Sequence, residues 1–127
     1  DIPASEGNPF YAAATFRYDT GLTKDENREL ARAFMQQAQR GDFFQMRANY
    51  YYGVGAHSMV FTADYNAQDD TVTWTDSNMK GKTVSGKRYG YIQFDAVKKI
   101  DWFVDAFARK GHGATIYRLR DDIIYAP

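Results

Sequence analysis

Lys87-Arg88-Tyr89-Gly90-Tyr91-Ile92-Gln93-Phe94 runs without a break into Asp95-Ala96-Val97-Lys98-Lys99-Ile100. The first stretch alternates as a strand does, and Val97, Ile100, Val104 and Phe107 then recur at the spacing of a helix stripe. A helix starting near Asp95 and ended by Gly111, followed by a strand from Ala114 to Leu119, completes a β-α-β unit. Neighbouring strand residues point to opposite sides. Gly90, Ile92 and Phe94 are therefore expected to face the helix, and Tyr89 and Tyr91 to face away.

The first half of the chain repeats this order. Phe10 to Tyr18 alternates, with Ala12, Ala14, Phe16 and Tyr18 on one face, and Asp19-Thr20-Gly21 turns the chain. Thr23-Lys24-Asp25-Glu26 is a capping box, in which hydroxyl and carboxylate satisfy each other's backbone donors at a helix start. Leu30, Ala31, Phe34 and Ala38 make the core face of that helix, and Gly41 supplies its left-handed exit. From Phe43 the period becomes two, with Phe44, Met46, Ala48, Tyr50 and Tyr52 sharing one face. Runs from His57 to Tyr65 and from Thr71 to Thr75 continue a meander, and the polar stretch from Asp76 to Gly86 reads as a loop. Ile123 to Tyr125 extends the sheet edge.

This order defines an α+β fold, an antiparallel sheet of about five to six strands with two helices on one face. Its plan is ferredoxin-like, β-α-β-β-α-β, with a hairpin inserted before the third core strand. A curved sheet of the cystatin or NTF2 kind is the alternative. Residues 1–9 carry two prolines and a glycine and read as an extended arm, leaving 10–127 as one α+β domain. The chain opens at Asp1 without an initiator Met, so the expectation is a removed targeting peptide or a trimmed chain, in a secreted, periplasmic or organellar setting.

Composition narrows the function classes. Sixteen basic and sixteen acidic residues give a net charge of zero, against the positive excess that a general nucleic-acid or membrane-surface binder needs. With no cysteine there is no disulfide framework and no thiolate chemistry. The apolar runs are too short to span a bilayer. Aromatic residues make up 17%, led by ten tyrosines, whose large rings and polar tips suit a soluble surface that packs against a partner.

The basic-aromatic run Lys87 to Phe94 resembles the RNP1 strand of RNA-recognition motifs, with Arg88 standing where that family carries Gly. The resemblance implies that Tyr89 and Tyr91 stack on unpaired bases while Lys87 or Arg88 contacts phosphate. The companion strand fits the family badly at Ala14-Thr15-Phe16-Arg17, and the stretch between the first helix and Lys87 is far longer than the family's hairpin.

Catalytic constellations are missing. His57 and His112 are the only histidines, so a zinc site would need carboxylates for half its ligands, and no metal or cofactor is expected. His57 alternates with Met59 and Phe61 as a packed histidine does, and its neighbour Ser58 points to the other strand face. His112 follows a helix C-terminus, where it serves as a cap. Asp64, Asn66, Gln68 and Asp70 have a calcium-loop spacing, but Asp69 replaces its glycine and Thr75 its bidentate Glu. Asp101 and Asp105 share a helix face, balanced by Lys98 and Arg109.

The sequence thus points to a non-enzymatic protein-interaction or assembly domain. It would contribute a Tyr-rich sheet face and its N-terminal arm to a larger complex, with Lys87, Arg88, Tyr89, Tyr91, Tyr50 and Tyr52 as candidate binding residues. The alternatives are a single-stranded RNA binder using the RNP1-like strand and a small ligand-binding or enzymatic curved sheet.

Overall fold

A computed structural model describes residues 9–50, 53–84 and 87–120, with side chains described for 9–48, 56–76 and 92–120. The elements are β1 (Phe10–Arg17), α1 (Lys24–Met35), β2 (Phe43–Tyr50), β3 (Gly53–Phe61), β4 (Thr71–Val84), β5 (Lys87–Lys99), α2 (Ile100–Phe107) and β6 (Gly113–Leu119). Of the expected arm only Pro9 falls among the described residues, where its carbonyl accepts the Arg120 N–H at 2.8 Å. The expected edge extension at Ile123 to Tyr125 lies outside them.

The six strands form one antiparallel sheet in the order β1-β6-β2-β3-β4-β5, so the fold class is the α+β class expected. Since β1 and β2 each pair antiparallel to β6, they run parallel to one another, joined by α1 with β6 inserted between them. The α2 connection leads from β5 at the far edge back across three strands to β6. The ferredoxin-like order is not reproduced, because the meander of β2, β3 and β4 stands between β5 and β6.

α1 begins as its sequence dictates: Glu26 N–H donates to Thr23 Oγ1 at 3.1 Å, and Thr23 N–H to Glu26 Oε1 at 3.0 Å. These bonds, the backbone one first, hold the Glu26 carboxyl below its ordinary value. The buried stripe is Asn27, Ala31, Phe34 and Met35, and Leu30, expected in the core, is 51% exposed. A polar residue holds the inner position because its bonding is complete. The Asn27 amide donates to the Asp19 and Thr23 carbonyls at 2.8 and 3.0 Å, and its oxygen accepts the Asp19 N–H at 2.8 Å. The helix ends at Met35, ahead of Gly41, whose φ of 90° serves the turn into β2.

Several boundaries in the second half differ from expectation, among them the end of α2, which falls at Phe107 ahead of Gly111. Residues 76–84, read as a loop, belong to β4, where Asp76, Ser77 and Asn78 pair with Gln93, Ile92 and Tyr91. Such residues have little strand preference, so the backbone ladder to β5 carries this pairing. α2 starts at Ile100 and not near Asp95, because the Thr71–Trp74 segment of β4 holds Ala96 to Lys99 extended in the same ladder. Val97 consequently leaves the helix stripe and is 57% exposed, while Ile100, Phe103, Val104 and Phe107 are buried.

The core lies between the helices and one face of the sheet. Phe44 on β2 is its hub, with ring centroids 5.4 Å from Phe61, 6.0 Å from Phe103, 6.2 Å from Phe34 and 6.3 Å from Phe107. Both helices thus meet the sheet at one ring. At the rim Arg118 grips the buried Asp42 in a two-toothed pair, Nε to Oδ1 at 3.0 Å and Nη2 to Oδ2 at 2.9 Å, and this contact raises the affinity of Arg118 for its proton.

Phe34→Ala and Phe107→Ala are each expected to lower the unfolding free energy by about 3–5 kcal/mol in urea melts, and Leu30→Ala by less than about 1 kcal/mol. Arg118→Ala is expected to cost about 3–5 kcal/mol by the same measurement, because it strands the Asp42 carboxylate in a buried position; a loss no larger than that of Leu30→Ala would contradict the pair's role.

Candidate functional site

Four of the sequence-predicted binding residues fall on β5: Lys87, Arg88, Tyr89 and Tyr91 pair through their backbones with Val84, Thr83, Lys82 and Asn78. Tyr50 ends β2 opposite Gly53. The side chains of these five residues, and all of Tyr52, lie outside what the structure describes, as does the expected outward turn of Tyr89 and Tyr91. The adjoining residues correct the facing expected for this strand: Ile92 and Phe94, expected under the helix, are 57% and 73% exposed.

The cause is a bulge at Phe94–Asp95. Gln93 pairs with Asp76 and Ala96 with Trp74, so two residues of β5 stand opposite Thr75 alone. Asp95 takes a φ of 47°, a left-handed conformation that Asp tolerates better than most residues. Its N–H donates to Thr75 Oγ1 at 3.1 Å, and its carboxylate accepts the Thr62 hydroxyl at 2.7 Å. The extra residue inverts the alternation. Gln93 and Ala96 share the inner face with Trp74, while Ile92, Phe94 and Val97 share the outer face with Thr73. Val60 of β3, 40% exposed and paired with Thr75, lies on the same outer face. The result is an apolar patch on the outer side of a thirteen-residue edge strand.

At the other end of the sheet a groove of about 510 Å³ crosses β1, β6, β2 and β3, with Thr15, Arg17, Gln45, Arg47, Ser58 and Thr115 among its lining residues. The two histidines, far apart in sequence, also line it. Nε2 of His57 lies 2.6 Å from Oδ2 of Asp76, a carboxylate whose side chain is only 8% exposed. This contact was not legible in the sequence, because it depends on 76–84 being a strand. The His112 backbone N–H donates to the Arg109 carbonyl at 2.9 Å, closing the turn after α2.

The acidic residues of α2 face α1. Asp105 accepts from Arg28 Nη2 at 2.7 Å, and Asp101 pairs with Arg32, so the expected balancing partners Lys98 and Arg109 are not those used by the carboxylates. Arg109 instead donates from Nε to the Asp105 backbone carbonyl at 2.8 Å, and the Lys98 ammonium sits 5.9 Å from the Trp102 ring centre. Arg32 also reaches Asp70 at 2.8 Å, and Asp70 accepts the Tyr65 hydroxyl at 2.6 Å. The Tyr65 bond first, then that of Arg32, holds the Asp70 carboxyl below the ordinary carboxylate range. The same contacts push the Tyr65 hydroxyl and the Arg32 guanidinium up. These groups clamp the two helices to the β3–β4 connection.

Because the folded Asp70 binds its proton more weakly than the unfolded one, its contribution is present at neutral pH and is lost as pH falls through its folded value, below the ordinary 3.8. Asp70→Asn is therefore expected to be less stable than the wild type near pH 7, with the difference shrinking in urea melts as pH falls below the ordinary 3.8. A gap that stays constant over that range would show that the carboxylate's charge is not what holds the clamp.

Among the described residues no group of three or more His, Cys, Asp or Glu side chains is placed to hold a metal ion, and no helix is long and apolar enough to cross a membrane. Comparison of the chain with protein-family models, curated proteins and solved structures finds no match in any of the three.

Proposed function

We propose that this chain is a non-enzymatic protein-interaction domain that receives an extended partner segment along the β5 edge. The observation that carries this reading is the exposure of Ile92, Phe94 and Val97 on the outer side of an edge strand. An edge offers backbone donors and acceptors, and alternate apolar side chains beside it provide selectivity, the combination used in strand addition. Large apolar groups clustered on a surface mark such sites.

The charge pattern of β5 defines the partner's chemistry. Lys87 and Arg88 stand at one end and Lys98 and Lys99 at the other. A second copy paired antiparallel about the strand's centre would set these like charges opposite each other, which destabilises a ladder. A segment with an apolar centre and acidic flanks suits the edge better.

A synthetic strand peptide with alternating apolar residues between Asp-Glu flanks is expected to bind the chain, and Phe94→Asp to weaken it at least about tenfold, a loss of about 1.4 kcal/mol. Isothermal titration checks this, with scrambled and lysine-flanked peptides as controls. A random single-stranded RNA is expected to show no measurable binding at physiological salt. Binding to it, with a log-log salt slope near −0.7 per phosphate neutralised, would favour the RNA-binding reading of the same strand.

A further inference from the structure

The strand register at the groove brings together residues that no sequence pattern links. Gly113 of β6 pairs directly with Arg17 of β1 on one side and with Arg47 of β2 on the other, and Arg47 pairs in turn with Ala56 of β3. The next outer row is Thr15, Thr115, Gln45 and Ser58, in the same strand order. Alternation sets both rows on the outer face, because Phe16, Ala114, Met46 and Met59 are buried on the inner one.

The first row has a positive group at each side and almost no side chain in the middle. The two arginines are two strand spacings apart, roughly 9–10 Å, within which two guanidinium stems converge on a single group. Gly113 between them has no Cβ, and one added there would run into the Phe16 carbonyl oxygen, so this position keeps its floor low. Both arginines are exposed. The second row offers three hydroxyls and an amide, of which Gln45 Nε2 lies 3.3 Å from Ser58 Oγ. Of the cationic lining residues, Arg17 and Arg47 belong to the outer row, whereas the His57 ring lies on the inner face beside Asp76.

We infer that this groove is a binding site for a small polar ligand bearing an oxyanion, a phosphoryl or carboxylate group, held between Arg17 and Arg47 above Gly113. Planar guanidinium forks match such oxygens in pairs, which a lysine does not. The volume of about 510 Å³ exceeds what the anion alone occupies and falls in the range of small-ligand sites. The row Thr15, Thr115, Gln45 and Ser58 then meets the polar remainder of the ligand. The site lies at the opposite end of the sheet order from the β5 edge and is independent of the partner proposed for that edge.

The test is a titration of the full chain with inorganic phosphate and, separately, with citrate, followed through the arginine Nε–H signals by NMR at low salt. Saturable shifts of Arg17 and Arg47 are expected with at least one of the two; phosphate alone identifies a phosphoryl source and citrate alone a carboxylate source. Arg17→Ala and Arg47→Ala are each expected to weaken binding at least about tenfold, whereas Arg40→Ala and Phe94→Asp leave it unchanged. Arg47→Lys, which keeps the charge and the aliphatic stem, is expected to bind more weakly than the wild type, and it answers the question if an alanine variant fails to fold. Shifts that never saturate with either anion, or binding that survives both arginine substitutions, would overturn the inference.

Discussion

The ring of Phe44 is the point at which the two helices and the sheet meet, and most of the architecture is arranged to keep it covered. Phe34 approaches from α1, Phe103 and Phe107 from α2 and Phe61 from the neighbouring strand, all within 6.3 Å between ring centres. Aromatic pairs of this kind add about 0.5–1.5 kcal/mol each beyond the burial of their surface. The cluster explains why β2 is the strand that α2 contacts most closely and why the crossover from β5 must travel so far back across the sheet. Charged groups act at the margins of this core. Arg28 with Asp105 and Arg32 with Asp70 and Asp101 fix how the helices lie against each other, and Arg118 with Asp42 closes the rim.

The β4–β5 ladder extends well beyond the β3–β4 ladder. β3 and β4 pair at Val60 with Thr75 and Phe61 with Trp74, whereas β4 and β5 pair from Thr71 with Lys99 to Val84 with Lys87. Within it the bulge at Asp95 does two things at once. It keeps Ala96 beside Trp74, which stacks on Trp102 with 18° between the rings, and it turns Phe94 outward. One extra residue thus satisfies the core and presents an apolar surface, a use of bulges common where a strand must re-aim a side chain.

The outer face carries two different chemistries at its two ends, an apolar one along β5 and a cationic, hydroxyl-rich one across β1, β6, β2 and β3. The inner face carries the core in the middle and the His57–Asp76 contact beside it. Both outer surfaces follow from register, since each depends on which residues of sequence-distant strands stand side by side. β6 is the last strand described, yet it places Gly113 between arginines from the two strands that flank α1.

Local patterns alone determined the α+β class, the capping box at Thr23, the buried alternation of Phe44, Met46 and Ala48, and the absence of cysteine chemistry. Each rests on neighbours in sequence, through short-range hydrogen bonds or on a period that any observer of the chain can count. The tertiary structure alone decided that Asn27 and not Leu30 faces the core, because the Asp19 turn supplies the partners for its amide. Likewise it alone decided that 76–84 is a strand and that Asp95 interrupts the alternation, because a backbone ladder can hold polar residues extended and an Asp bulge has no sequence signature. The order β1-β6-β2 and the Arg17–Gly113–Arg47 row belong to the same class of fact. Strand neighbours are selected by how the helices bury their aromatic stripe, and that choice is settled by contacts between residues far apart in the chain.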